Sequence, residues 1–124
     1  MIFIDRSVPK GVATALKEVR DDVRWFEDAF EHDTKETAWL PEVGQRGWIV
    51  ISRDKKIRTR PAERRALLEA RVGCFILTQK QILTRWDYLK LLAAILDDMI
   101  SLFASTQRPF IYGVGRTGQF RRIA

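Results

Sequence analysis

The chain has 124 residues, with 22 lysines and arginines against 16 aspartates and glutamates and a formal net charge of +6. This length fits one hydrophobic core, so we expect residues 1–124 to form a single domain. No apolar run is long enough to span a membrane, and the one cysteine, Cys74, excludes an internal disulfide. We therefore expect a cytoplasmic protein without membrane association, and the positive charge indicates nucleic acid or an acidic protein as partner.

The first elements follow from short apolar runs and helix-start signals. Residues 2–4 predict a buried strand that ends at Asp5. Ser7 is placed as the N-cap of the first helix, with Pro9 in the first turn. Residues 23–26 predict the second strand. Together these elements begin an alternation of strand and helix.

The next helix is centred on Trp39 and closes at Gly44 or Gly47. Proline inside a helix costs about 3 kcal/mol. Because of Pro41, we place the start of this helix near Trp39. That placement leaves Glu36 in the preceding loop.

The second half of the chain continues the alternation. Residues 48–51 are continuously apolar, as in a parallel strand that is covered on both faces. A helix beginning at Pro61 and a strand at 74–77 follow. The remaining elements are a long helix with an apolar stripe from Trp86 to Phe103, a last strand at 109–112, and a basic, frayed tail at 116–124.

Strands separated by helices predict right-handed crossover units and therefore an α/β fold. We expect three layers, α/β/α, with a mainly parallel sheet of about five strands. The first, third and fourth strands are followed by Asp5, Asp54 and Thr78. In parallel sheets these carboxyl ends share one edge, and ligands bind beyond it.

Carboxylates gathered at one sheet edge indicate a metal site. Asp5 and Asp54, joined by Glu36, would repel one another without a cation, and oxygen ligands select Mg²⁺ or Mn²⁺. Such a site suits phosphodiester hydrolysis. Purely structural interpretations stay open: Asp5 as a cap, Asp54 as a turn residue, and Glu36 in a capping box with Asp33.

A basic run surrounds Asp54, and it is either a solvated face or a track for a phosphate backbone. Arg6 follows the first acid and is a further candidate. The candidate RNA-binding residues are Arg6, Arg53, Lys55, Lys56 and Arg58, with Arg116, Arg121 and Arg122 of the tail as an extension.

Three segments carry a resemblance to the PIN-like domains, and in particular to the compact VapC-type toxins of toxin–antitoxin pairs. These segments are residues 3–7 (FIDRS), 36–44 (ETAWLPEVG) and 46–55 (RGWIVISRDK). The resemblance implies an endoribonuclease that depends on Mg²⁺ or Mn²⁺, acts on RNA and is inhibited by a cognate antitoxin. It also implies a homodimer or a hetero-oligomer with that antitoxin.

The resemblance assigns Asp5, Glu36 and Asp54 as the acids that bind metal and catalyse cleavage. A further acid of larger family members has no clear counterpart, and Asp33 and Glu42 are the nearest substitutes.

Two other functions stay open. A phospho-accepting receiver domain also carries an aspartate after its third strand and a threonine after its fourth, although Arg6 stands where such domains have a second acid. A PIN-like module that binds RNA without cutting it is the other. His32 is the only histidine, which disfavours a histidine-dependent triad or zinc centre.

Overall fold

A computed structural model describes residues 1–79, 81 and 83–124, without the side chain of Arg58. Over these residues the chain forms one mixed sheet flanked by helices. The strands are β1 (Ile2–Ile4), β2 (Val23–Trp25), β3 (Ile49–Ser52), β4 (Gly73–Leu77), β5 (Phe110–Val114) and β6 (Phe120–Arg122). The helices are α1 (Lys10–Val19), α2 (Phe26–Ala29), α3 (Glu36–Arg46), α4 (Lys56–Thr59), α5 (Pro61–Glu69) and α6 (Arg85–Ser105).

The sheet has the order β2-β1-β3-β4-β5-β6. Its first five strands are parallel, and β6 pairs antiparallel with β5. Because β1 lies directly beside β3, the residues that follow these two strands are neighbours at the carboxyl edge. The arrangement confirms the expected three-layer α/β/α fold.

Helices cover the sheet because each presents an apolar side to it. Helix α1 packs against α6, and α3 packs against α5. On the α3 side the ring of Phe3 lies 5.5 Å from Trp39 and 5.8 Å from Phe26, centroid to centroid. Aromatic pairs at such spacings add to the stabilisation from area burial. No helix in the described ranges is long and apolar enough to cross a membrane.

The sheet has one strand more than expected, because the tail is ordered. Residues 120–122 form β6, and the Ile123 amide donates to the carbonyl of Ile111 at 2.8 Å. The basic side chains had suggested a frayed end. Among these basic residues, Phe120 is half-buried and its ring lies 5.6 Å from that of Phe75, centroid to centroid. This contact anchors the strand.

The expected start of α3 near Trp39 is wrong, because the helix begins at Glu36. Pro41 lies inside it, and the helix persists because Trp39 and Leu40 on the same segment are fully buried. The helix ends at Gly47, whose φ of 67° is the left-handed conformation that glycine favours. Glu36 is therefore held in a first helical turn and not in a loop.

Three smaller expectations also fail. Helix α1 begins at Lys10 after Pro9, so Ser7 is not its cap. Phe26 opens α2 instead of extending β2. The side chain of Trp86 is 64% exposed, although it was assigned to the core stripe of α6. The core-facing part of that stripe starts later, with Leu92, Leu96 and Met99.

Candidate active site at the carboxyl edge of the sheet

The backbone brings two of the predicted acids to one edge. The amide of Asp5 donates to the carbonyl of Ile51 at 2.9 Å, which continues the β1–β3 pairing up to the acid itself. Asp54 follows two residues after the end of β3. The parallel pairing predicted from sequence thus determines the proximity of these acids.

Asp5 is a buried carboxylate that uses one of its two oxygens for structure. It is only 6% exposed, and the hydroxyls of Ser52 and Ser7 donate to its Oδ2 at 2.8 and 3.0 Å. Within the described residues no group donates to Oδ1. Asp5 therefore keeps one oxygen available to a ligand.

The two serines connect Asp5 to the loop that carries Asp54. Ser7 Oγ accepts from the amide of Arg53 at 2.8 Å, and Ser52 Oγ accepts from the amide of Asp54 at 3.1 Å. Each hydroxyl therefore both donates to the buried carboxylate and accepts from the loop backbone. Sequence reasoning missed this role, because a serine after a strand resembles a helix cap.

Asp54 combines a turn role with an open oxygen. Its Oδ1 accepts from the amide of Lys56 at 2.9 Å, the local bond by which aspartate starts turns. In the part of the chain that the structure describes, no donor reaches the second oxygen. The turn interpretation of Asp54 thus holds and leaves half of its carboxylate free.

Glu36 is a half-buried acid without a partner. In the described ranges its carboxylate has no hydrogen bond and no ion pair. Partial burial raises the pKa of Glu36, and the charges of Asp54, Asp5 and Glu63 raise it further. Glu63, in the first turn of α5, is an acid that sequence reasoning missed.

Both burial and the charge of a neighbouring acid affect Asp5. Burial raises the pKa of Asp5 and the charge of Asp54 raises it further, while hydrogen bonds from Ser52 and Ser7 oppose the shift. Among the described residues, none of Asp5, Glu36 and Asp54 takes part in a salt bridge. In this part of the chain the basic residues act on these acids only at longer range: the charge of Arg6 opposes the shift in the pKa of Asp5, and that of Lys56 opposes the shift in the pKa of Glu36.

A family model described as a PIN-like domain matches residues 1–79. This chain belongs to the PIN-like domain family. The match spans β1 to the end of β4 and includes all the acids described above, and the fold is one that suggests a nuclease. No curated protein and no solved structure matches the chain.

Asp33 and Glu42, the nearest substitutes for a further acid of the PIN-like family, lie in different surroundings. Glu42 lies on the exposed surface of α3, where its Oε1 is 2.8 Å from Arg46 Nη2. Asp33 is exposed in the loop before α3. Neither is among the charges that raise the pKa of Glu36, whereas Glu63, which lies 3.8 Å from Arg60 Nη1, is.

Two of the predicted RNA-binding arginines have structural partners. Arg6 Nη1 donates to the carbonyls of His32 and Thr34 at 2.8 and 3.0 Å, and its guanidinium lies 4.7 Å from the ring centroid of Phe26. Arg6 thereby anchors the loop that precedes Glu36.

Arg53 Nη1 donates to the Tyr88 hydroxyl at 3.1 Å. Lys55 and Lys56 are exposed, and both line a cleft of about 370 Å³ beside Asp54. The side chain of Arg58 lies outside the described part of the chain. The cleft thus has a cationic rim next to the acid edge.

The residues at this edge fit a hard divalent cation in donor chemistry. Their oxygens are carboxylate oxygens, which Mg²⁺ and Mn²⁺ select. Over the described residues no group of three or more acidic, histidine or cysteine side chains is arranged closely enough to hold an ion. Mg²⁺ commonly uses one or two carboxylates together with water and substrate phosphate, so Asp5 and Asp54 are the expected pair.

The raised pKa values predict a pH-dependent stability. Between the ordinary pKa of Asp5, 3.8, and its raised value, the folded chain binds more protons than the unfolded chain. Stability contributed by this group therefore falls as pH rises through that window. We expect Asp5→Asn to be more stable than the wild type at pH 7, by on the order of 1 kcal/mol, and to lose this advantage near pH 3.

Thermal denaturation in EDTA across this pH range measures the difference. Asp33→Asn is the control, because it makes the same substitution at an exposed acid in the loop before α3. Added Mg²⁺ should restore the stability of the wild type at pH 7, and it should not stabilise Asp5→Asn. A variant that is less stable than the wild type at every pH would contradict the buried-charge explanation.

Proposed function

We propose that this PIN-like domain is a metal-dependent endoribonuclease and the toxin of a type II toxin–antitoxin pair. The observation that carries the proposal is the position of Asp5 and Asp54 after the neighbouring strands β1 and β3, with Glu36 near enough for both charges to raise its pKa. Among the described residues, none of these acids forms a salt bridge. Neighbouring carboxylates without a counter-charge repel one another, and a bound cation or proton removes this repulsion.

Each acid has a distinct part in the proposal. Asp5 and Asp54 would hold Mg²⁺ or Mn²⁺, and Glu36 would add negative charge from α3. When bound, the metal supplies charge that stabilises the phosphodiester and the leaving oxygen. Ser7 and Ser52 keep the Asp54 loop in register with Asp5, so they are positioning residues.

RNA is the proposed substrate because cations adjoin the acids. Lys55 and Lys56 stand on the rim of the cleft beside Asp54, where phosphates of a bound strand would pass. The net charge of +6 favours such binding over the whole surface. The cognate antitoxin would be a protein that covers this edge, in a hetero-oligomer or with a homodimer of the toxin.

A cleavage assay tests the nuclease proposal. The purified chain is incubated with a panel of RNAs in Mg²⁺, Mn²⁺ or EDTA, beside an Asp5→Asn/Asp54→Asn double variant purified in parallel. We expect cutting with either metal and none in EDTA or with the variant. Equal cutting by wild type and double variant would assign the activity to a contaminant and end the proposal.

Binding without cutting in that assay would instead indicate a non-catalytic RNA-binding module. The toxin part of the proposal is tested separately in cells. Induced wild-type protein should arrest growth, whereas induced Asp54→Asn should not. Growth that is unaffected by the wild type, at an expression level matched by immunoblot, would remove the toxin assignment and keep the nuclease.

A receiver-like phospho-acceptor is the second candidate, and the strand order favours it. The order 2-1-3-4-5 of the parallel strands is also that of receiver domains, and Thr78 follows β4, the strand next to β3. Incubation with acetyl phosphate and Mg²⁺, followed by intact-mass measurement, tests it. Phosphorylation that is lost in Asp54→Asn would support this candidate. Absence of labelling would contradict it and leave the nuclease as the proposed function.

A further inference from the structure

The residues that line the cleft beside Asp54 suit a flat ligand with polar groups along its edge. Its volume of about 370 Å³ lies within the range of small-molecule pockets. Ile76, Leu77 and the ring of Tyr88 form apolar walls, while Gln79 and Gln81 add amide groups. Apolar walls with a few polar groups suit a heterocyclic base better than a phosphate or a sugar.

Gln79 carries an acceptor that has no partner. Its Nε2 donates to the carbonyl of Val114 at 3.1 Å, which determines the orientation of the amide. Its Oε1 is shielded from solvent and has no hydrogen-bond donor in the described part of the chain. A buried acceptor without a donor costs free energy. A turn of the Gln79 side chain towards the cleft would expose Oε1 to a ligand N–H, which would relieve that cost.

Tyr88 carries the complementary donor. Its buried hydroxyl oxygen accepts from Arg53 Nη1 at 3.1 Å and from the Leu83 amide at 3.4 Å. Both neighbours are donors only, so the hydroxyl hydrogen of Tyr88 has no acceptor among the described residues. The cleft therefore contains one unmatched donor and one unmatched acceptor.

The edge of every nucleobase presents a donor and an acceptor side by side, and its faces are apolar. The same cleft shares Asp54 and Ser7 with the acid edge, and Lys55 and Lys56 on its rim suit the adjoining phosphates. A base seated here would bring its own phosphodiester to the acids.

We infer that this cleft is a nucleobase pocket, in which Gln79 and Tyr88 select the base of the nucleotide beside the scissile phosphate. Gln79 Oε1 accepts from a base N–H, and the Tyr88 hydroxyl donates to a base carbonyl or ring nitrogen. The inference rests on the proposed ribonuclease function and adds its sequence preference.

The first experiment maps cleavage sites on a pool of RNAs in which all four bases occur at each position around the cut. We expect the wild type to prefer one base by about tenfold or more, the scale of one hydrogen bond to a base edge. Gln79→Met should reduce this preference to about twofold or less, and Tyr88→Phe should weaken it likewise. Gln107→Met, an exposed glutamine at the opposite end of the sheet, is the matched control and should keep it.

A second experiment avoids catalysis altogether. The four nucleoside 5′-monophosphates, and short RNAs of each base, are titrated into the isotope-labelled chain in EDTA and followed by NMR. We expect the preferred base to shift the Gln79 side-chain amide, both as monophosphate and within RNA, and to lose affinity in Gln79→Met.

The two experiments separate the inference from the proposed function. Selective shifts at Gln79 without any metal-dependent cutting would keep the pocket and remove the nuclease. Metal-dependent cutting without base preference, and without shifts at Gln79, would overturn the pocket and keep the nuclease. Binding of a monophosphate but of no RNA would also overturn the inference, since the cleft would then serve a free nucleotide.

Discussion

Replacing Asp54 by asparagine is expected to lower metal-dependent RNA cleavage at least about 100-fold while leaving the fold intact. The amide keeps an oxygen that can accept from the Lys56 backbone, so the turn into α4 survives. The negative charge on the open oxygen is lost, and with it the attraction for a divalent cation. Circular dichroism and a thermal melt confirm folding, and initial rates on one RNA measure the loss.

Asp5→Asn and Glu36→Gln should produce losses of similar size, because all three acids contribute charge to one site. Glu42→Gln is the matched control: it removes an acid from the same helix as Glu36 but from the exposed pair with Arg46. The control should retain the wild-type rate to within about twofold, since surface pairs contribute little. Equal losses for Glu42→Gln and Glu36→Gln would show a general charge effect and contradict the proposed site.

The sequence was sufficient to predict that Asp5 and Asp54 lie at the same edge of the sheet, for a simple physical reason. Parallel strands joined by crossover helices align their carboxyl ends, and a residue directly after such a strand lies at the shared edge. The residues 2–4 and 48–51 are apolar enough to be recognised as strands from their composition alone. The direct pairing of β1 with β3, which makes the two acids neighbours along that edge, is seen only in the structure.

Glu63 could not be found in the same way. Its position depends on α4, a short helix within the basic run at 55–60, and on how α5 is then oriented towards α3. The charges in that run suggested solvent or phosphate and gave no signal of a helix. The serines were missed for a related reason, because a hydroxyl after a strand looks the same whether it caps a helix or bonds a buried carboxylate.

The start of α3 shows how tertiary packing outweighs a local penalty. Proline lacks the amide that a helix needs, and this single cost argued for a late start. The energy of a helix is summed over all its residues, and burial of Trp39, Leu40 and Val43 against the sheet offsets one missing bond. The consequence is functional, because the early start places Glu36 on a rigid element.

Replacing Gly44 by alanine is expected to destabilise the chain by about 3 kcal/mol, or roughly 10 °C in melting temperature. A Cβ on Gly44 would lie far inside van der Waals contact with the backbone carbonyl of Ala70, which cannot rotate away. This close approach joins α3 to the end of α5. Separation of these helices should also move Glu36 relative to Glu63, so cleavage by the folded fraction should fall.

Gly11→Ala is the matched control, since Gly11 also lies inside a helix. Its Cβ would meet only the flexible side chain of Arg85, with 3.6 Å to Cδ, at an ordinary contact distance. Alanine favours helix over glycine, so this variant should gain about 0.5–1 kcal/mol. Chemical denaturation measures the free energy of unfolding, which should fall in Gly44→Ala and rise in Gly11→Ala. A Gly44→Ala chain as stable as Gly11→Ala would mean that α3 can shift freely on α5, and the placement of Glu36 would then depend on the sheet alone.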